Sequence, residues 1–332
     1  HIHSFCGRLV DDARQAGFPT ETPSDGPPYD RIIRQAIAAC EAGYEVRHEA
    51  VLIDEGQDFT LEWWNLLRHH VVTPNGEMLL VADPTQDVYD KKAWTDEERM
   101  LGARFSGRWT ELAGSYRMPG DLVGIANEFA ARYVEGEQLA GAVPCAGIET
   151  DVTQTNASRS VRRWRNIDRK SDLGAEVGRE VVRLLHEHPH ITPNDIAFLV
   201  QHHSEGVDAV AEIEAAGFAV HHVFGRTKAE QNLRKRRFWP DADGIKGCTI
   251  HSFKGWESPN LVMGIGDPGT ARRRADSRRL AYVSMTRAKS GSVERPSYVS
   301  VINADLAIAG FQSRFEEWAP PSAVPFVQHT AR

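Results

Sequence analysis

Apolar and polar positions follow two rhythms along this chain. In residues 29–42, Ile32, Ile33, Ala36, Ile37 and Cys40 recur every three or four positions and predict an amphipathic helix that stops at Gly43. Val51-Leu52-Ile53 is instead a continuous apolar run that ends abruptly at Asp54-Glu55-Gly56-Gln57-Asp58-Phe59. Such a run predicts a parallel strand covered on both faces, its carboxyl end opening onto acids and amides. Residues 1–17 read as a strand end followed by a helix, and 19–28 as a loop. Helices are predicted at 61–70 and 120–133, the second just after Pro119, and strands at 77–82 and 109–112. Residues 135–155 are Gly-rich and weakly patterned. Strands at 161–164, 196–200, 218–223, 248–251, 261–265 and 298–302 then alternate with helices at 172–187, 205–216 and 277–287. This alternation predicts an α/β protein with parallel sheets and helices on both faces. A boundary near Gly114 divides it into domains 1–113 and 114–332.

Composition narrows the class. A chain of 332 residues, 41% hydrophobic and 26% charged, has room for two ordinary soluble domains. No apolar run approaches the roughly 20 residues that cross a bilayer. Cys6, Cys40, Cys145 and Cys248 are far apart and form no Cys-x-x-Cys pair, the pattern of a reduced, cytoplasmic protein without structural zinc. The net charge of −7 conceals three basic clusters. Arg159, Arg162, Arg163, Arg165, Arg169 and Lys170 surround Trp164; Arg226, Lys228, Arg234, Lys235, Arg236 and Arg237 lead into Phe238-Trp239; Arg272, Arg273, Arg274, Arg278 and Arg279 form the third. Each is either a track for a phosphate backbone or a solvated face.

The chemistry concentrates where strands end. Of Asp54 and Glu55, one carboxylate can hold Mg²⁺ and the other can orient and deprotonate a water that attacks a γ-phosphate. Gln86, just past the second apolar strand, can hydrogen-bond that phosphate. Arg117 precedes a helix, the segment Cys248-Thr-Ile-His-Ser-Phe-Lys-Gly-Trp-Glu257 breaks from a strand into a loop, and Arg287 and Lys289 close a later helix. Two arginines facing a Mg²⁺ site from a second domain act as arginine fingers, which contribute about 10³ to 10⁵ in rate.

The order and spacing of these segments resemble the core of superfamily 1 DNA helicases, the UvrD/Rep/PcrA group. Asp54-Glu-Gly-Gln-Asp-Phe59 resembles motif II, Ala82-Asp-Pro-Thr-Gln-Asp-Val-Tyr89 motif III, Leu112-Ala-Gly-Ser-Tyr-Arg117 motif IV, Thr249–Glu257 motif V and Tyr282–Lys289 motif VI. His3-Ser4-Phe5 resembles the DNA-contacting motif that precedes the acidic one. The resemblance implies two RecA-like parallel-sheet domains and hydrolysis of ATP with Mg²⁺ at the cleft between them. Asp54 would hold Mg²⁺, Glu55 would be the catalytic base, Gln57 and Gln86 would sense the γ-phosphate, Arg117 and Arg287 would supply charge, and Glu257 would bond the ribose. His3, Ser4, Phe5, Thr249, His251 and Lys254 would contact single-stranded or partly duplex DNA, and translocation would run 3′ to 5′ in a monomer.

Departures from the pattern shape the expectation. The family opens with a phosphate loop ending Gly-Lys-Thr or Gly-Lys-Ser, and neither occurs here. Because the sequence opens at a motif internal to the family's first domain, the loop is expected upstream of His1, and the present residues alone are expected to be inactive. Lys91 and Lys92 stand where the family has an aromatic and an Arg, leaving Trp94 either to stack on a base or to serve as a packing residue. Ser115 stands where the family has Asn. The spacings 7–50 and 201–247 have no room for large inserted subdomains. Two other functions fit the sequence: a non-hydrolysing nucleic-acid-binding module, and the motor of a nuclease–helicase fusion.

Overall fold

The computed structural model describes residues 2–21, 28–82, 117–134, 160–239, 241–253, 255–267, 269–292 and 294–317. It divides into two compact units, His1–Thr110 and Glu111–Arg332. Both contain parallel sheet flanked by helices, the expected α/β class.

In unit 1, α1 (Ile2–Gln15) buries Ile2, Cys6, Leu9, Val10 and Ala13, one helical stripe, against Ile33, Ala36 and Ala39 of α2 (Pro28–Glu41). The strand end expected before this helix is absent among the described residues, because the helical spacing of buried positions starts at Ile2 itself. Strand β1 (His48–Ile53) pairs in parallel with β2 (Val72–Leu80). Between them, α3 (Leu61–Leu66) starts where Thr60 Oγ1 accepts the Trp63 N–H at 3.3 Å, and continues into a π-helical turn, Leu67–Val71. Trp63 and Trp64 are buried in this core. Strand β1 departs from the expectation of cover on both faces: Ile53 is buried, but Leu52 is 74% exposed beside its partner Leu79 at 55%. Among the described residues, nothing buries the face of the small sheet that carries Leu52 and Leu79. The expected strand at 109–112 lies outside the described residues.

In unit 2, α4 (Gly120–Tyr133) precedes a six-stranded, wholly parallel sheet. Its strands are β3 (Ser160–Asn166), β4 (Ile196–Val200), β5 (Val220–His222), β6 (Ile245–Thr249), β7 (Asn260–Ile265) and β8 (Ser297–Asn303), in the spatial order β3-β8-β7-β4-β6-β5. Every residue of β4, β6, β7 and β8 is buried, and β4 accordingly reads as an unbroken apolar run, while the others carry buried polar residues such as Lys246, Asn260 and Asn303. Helices α5 (Leu173–Glu187) and α6 (His203–Ala215) pack together over the sheet, and α8 (Ala271–Met285) packs with α4. Chain direction and right-handed crossovers put these two pairs on opposite faces, consistent with a RecA-like domain. Gly174 and Gly178 let α5 approach α6 closely: a Cβ on Gly174 would lie 2.3 Å from the Glu205 carbonyl. Residues 228–237, a basic stretch to which the sequence assigns no element, form helix α7 (Lys228–Arg237), started by a Thr227/Glu230 capping box. A 3-10 segment (Leu306–Phe311) and α9 (Gln312–Glu317) bring Phe311 and Phe315 onto Trp164.

Candidate functional site

The acidic turn of unit 1 is held in a conformation that side chains resist. Glu55 has φ 56° and ψ 43°, the only non-glycine residue with positive φ among the described residues. A left-handed residue of this kind costs about 1 kcal/mol or more. Its neighbours fix it there. The Glu55 N–H donates to Asp54 Oδ1 at 2.8 Å, the Gly56 N–H to the Val81 carbonyl at 2.8 Å, and the Val81 N–H to the Ile53 carbonyl at 2.8 Å. Gly56 leaves room for Leu80, whose Cδ1 would stand 2.3 Å from a Cβ at this position. Asp54 is thereby exposed and Glu55 partly so, just past the carboxyl end of β1. Gln86 and Trp94 lie outside the described residues, as does the side chain of Gln57.

This donor set fits half of a Mg²⁺–nucleotide site. Among the described residues no group of three or more His, Cys, Asp or Glu could cage a metal. Mg²⁺ does not require a cage, since it keeps waters and takes one or two carboxylates plus phosphate oxygens. Asp54 suits that role. The phosphate-gripping half does not fit, because no Gly-Lys-Thr or Gly-Lys-Ser occurs in the chain.

In unit 2, three segments remote in sequence meet at the amino end of β7. Arg117 Nε lies 2.7 Å from Glu257 Oε2, and Lys289 Nζ lies 2.7 Å from Glu257 Oε1, so one carboxylate holds two cations. Backbone bonds lock the three segments: Ser258 N–H to the Arg287 carbonyl at 3.0 Å, Lys289 N–H to the Ser258 carbonyl at 2.9 Å, and Ser290 N–H to the Arg117 carbonyl at 2.6 Å. Arg117 and Lys289 keep about half of their side chains exposed, at 47% and 54%. Arg287 is different. It is 2% exposed, its Nε donating to the Val283 carbonyl at 3.3 Å and its Nη2 to Thr286 Oγ1 at 3.1 Å. The sequence places Lys289 beside Arg287 at the end of a helix but assigns a role to Arg287 alone.

The residues expected on DNA belong to both units. Thr249 is buried, and its hydroxyl donates to Ser252 Oγ at 2.9 Å and accepts the Ser252 N–H at 3.3 Å, organising the turn Ile250–Phe253. That turn exposes His251, while Lys254 lies outside the described residues. His3, Ser4 and Phe5 belong to α1, where His3 meets Trp63 edge-on at 4.9 Å, Phe5 lies 6.3 Å from His48, and Ser4 is exposed.

In two of the three basic clusters most of the described arginines are matched by acids, while Lys170 donates to the Asp267 carbonyl at 2.6 Å. Arg162 pairs with Asp121 at 3.0 Å, Arg163 with Glu180 at 3.9 Å, and Arg165 with Glu176. Burial pulls the Arg162 guanidinium below its ordinary range, with Asp121 opposing. Burial also pushes the Glu180 carboxyl up, but Arg183, Ser300 and Arg163 together outweigh it and hold the group low. In the third cluster Arg274, Arg278 and Arg279 pair with Asp267, Asp305 and Asp276. The α7 cluster keeps its charge exposed. Beyond it, Trp239 and Trp256 form an edge-to-face pair with centroids 6.0 Å apart. Phe238-Trp239 hinted at this in the sequence, but its partner across the loop did not.

No family model matches this sequence, and no curated protein is similar to it. Among solved structures it is similar to the C-terminal domain of a possible DNA helicase from Lactobacillus plantarum WCFS1, with a TM-score of 0.33 and 14% identity over 57% of this chain and 88% of that one. It is also similar to Arterivirus nonstructural protein 10, a helicase in complex with DNA, with a TM-score of 0.27 and 10% identity over 43% of this chain and 28% of that one. No helix among the described residues is long and apolar enough to cross a membrane.

Proposed function

We propose that this chain is part of an ATP-driven, single-stranded-DNA translocase or helicase of the UvrD-like kind. The observation that supports this most directly is the meeting of Arg117, Glu257 and Lys289, three residues from segments that resemble motifs IV, V and VI. Packing alone gives no reason for two exposed cations to be pinned beside one carboxylate. A second support is the strained Glu55 at a strand end, since left-handed strain is commonly retained where geometry serves chemistry. In this reading Asp54 holds Mg²⁺ and Glu55 takes the proton of the attacking water. Arg117 and Lys289 present positive charge, and Glu257 keeps them oriented until a nucleotide oxygen competes for them. ATP supplies the phosphoryl group whose transfer drives the motion.

The test is DNA-stimulated ATP hydrolysis by the full-length gene product. Glu55→Gln is expected to reduce the rate at least a hundredfold, on the order of a lost general base. Hydrolysis unchanged by Glu55→Gln would remove the catalytic assignment. A second reading, a nucleic-acid-binding module that does not hydrolyse ATP, is favoured by the lack of a phosphate loop in these residues and by the inward position of Arg287. It predicts strand binding with no hydrolysis under any condition.

A further inference from the structure

We propose that α7 together with the Trp239–Trp256 pair is a docking surface for single-stranded DNA, an inference that rests on the translocase reading and gives it a strand-binding element in unit 2. Helix α7 has no buried residue. Its one large apolar residue, Leu233, is 49% exposed, so the helix contributes no apolar face to the core and packing does not explain its presence. What it offers is charge. Arg234 contacts the His222 ring, but Lys228, Lys235, Arg236 and Arg237 have no carboxylate partner among the described residues, in contrast to the paired arginines of the other two clusters. Three of them stand together in the last turn, where mutual repulsion is relieved by a polyanion.

Beside this charge lie two exposed indoles, Trp239 at 59% and Trp256 at 36%. Their planes cross at 76°, so they cannot cover each other's faces, and at least one flat ring face is left open. Closely set cations next to an open aromatic face match a ligand with a phosphate every few ångströms and unpaired bases that can stack. Duplex DNA hides its base faces, and an acidic peptide has no flat rings at regular spacing. Single-stranded DNA has both features. Trp256 also immediately precedes Glu257, so a base stacked on it lies one residue from the Arg117–Glu257–Lys289 cluster. Strand occupancy can thereby be felt at that cluster.

The experiment uses the whole chain with a labelled oligothymidine, reading anisotropy and tryptophan quenching across a salt series. Trp239→Ala and Trp256→Ala are each expected to weaken binding roughly tenfold or more. The triple variant Lys235→Gln, Arg236→Gln, Arg237→Gln is expected to flatten the slope of log affinity against log salt by about 2, near 0.7 per lost phosphate contact. Arg179→Gln, an equally exposed charge on α5, serves as the control and leaves both readouts unchanged; circular dichroism checks that every variant folds. Unaltered affinity and slope in the Trp and α7 variants would overturn the docking surface while leaving the translocase reading intact. Equal or tighter binding of blunt duplex or oligouridine would overturn the choice of single-stranded DNA. If the chain binds no oligothymidine under any salt condition, the docking surface and the translocase reading both fail.

Discussion

Replacing Arg117 with alanine separates a catalytic charge from a structural one. In the folded protein its Nε rests 2.7 Å from Glu257, with 47% of the Arg117 side chain and 31% of the Glu257 side chain exposed. At that exposure an ion pair contributes about 0.2–1 kcal/mol, because water screens both charges. The Ser290 N–H bond to the Arg117 carbonyl is a backbone bond and survives the substitution, as does the Lys289–Glu257 pair. Thermal unfolding of Arg117→Ala is therefore expected within about 4 °C of the unmodified protein. If the guanidinium meets a phosphate in the transition state, its loss reduces hydrolysis by about 10³ or more, equivalent to about 4 kcal/mol of barrier. The catalytic effect then exceeds the stability effect severalfold. The assay pairs phosphate release from the full-length gene product, with and without single-stranded DNA, with a melting curve of the same preparation. A rate within threefold of the unmodified protein, with an unchanged melting point, would make Arg117 an ordinary surface partner of Glu257. Arg287→Ala cannot serve instead, since a guanidinium 2% exposed and bonded to Val283 and Thr286 also supports α8.

Three other outcomes follow from the geometry. Glu55→Gly relieves the left-handed strain at the strand end; in urea unfolding it is expected to leave stability within about 0.5 kcal/mol or raise it slightly while hydrolysis is lost, and a large destabilisation would refute the strain argument. Gly174→Ala puts a methyl 2.3 Å from the Glu205 carbonyl and 2.9 Å from Asp208 Cβ, so α5 and α6 must separate at a cost of about 1–3 kcal/mol, read from the urea midpoint. Burial, with Arg234 and His221 adding to it, holds the His222 ring down at about 4. Its unfolded counterpart titrates near about 6.5, so the unfolded state takes up the proton first, and the stability contributed by the neutral ring is complete above that value and lost as pH falls toward about 4. His222→Gln is expected to flatten the dependence of the urea midpoint on pH in that window, and an unchanged slope would mean that the ring is not held neutral.

The parts of the fold legible in the sequence were those whose burial is uniform. Strands β4, β7 and β8 are covered on both faces, and residues 196–200, 261–265 and 298–302 read accordingly. Strand β1 misled because an apolar residue does not state whether anything covers it, and Leu52 is mostly exposed. Helix α7 was hidden for the opposite reason: it buries nothing, so it has no apolar period, and only its capping box marks it. For the candidate site, resemblance supplied Arg117 and Glu257, but their contact comes from the return of α8 to the amino end of β7, which no local pattern encodes. The first basic cluster could be read as a phosphate track or a solvated face because its counter-charges, Asp121, Glu176 and Glu180, sit on other elements, the helices on either side of β3 in the chain.

Those same arginines have another consequence. Strand β3 is the outermost strand on one side of the six-stranded sheet, where a foreign strand could zip onto free peptide groups, but the Ser160 N–H donates to Asp121 Oδ2 at 3.1 Å and the Trp164 N–H to Glu316 Oε1 at 2.8 Å. Arg162, Arg163 and Arg165 project from both of its faces, and the opposite margin, β5, is only three residues long. A second molecule aligning its own β3 there would have to displace those carboxylates, and with Asp121 the partner of Arg162 as well. The sheet's rims thus discourage fibrillar stacking, a safeguard that a highly apolar parallel sheet needs whenever it is crowded or partly unfolded.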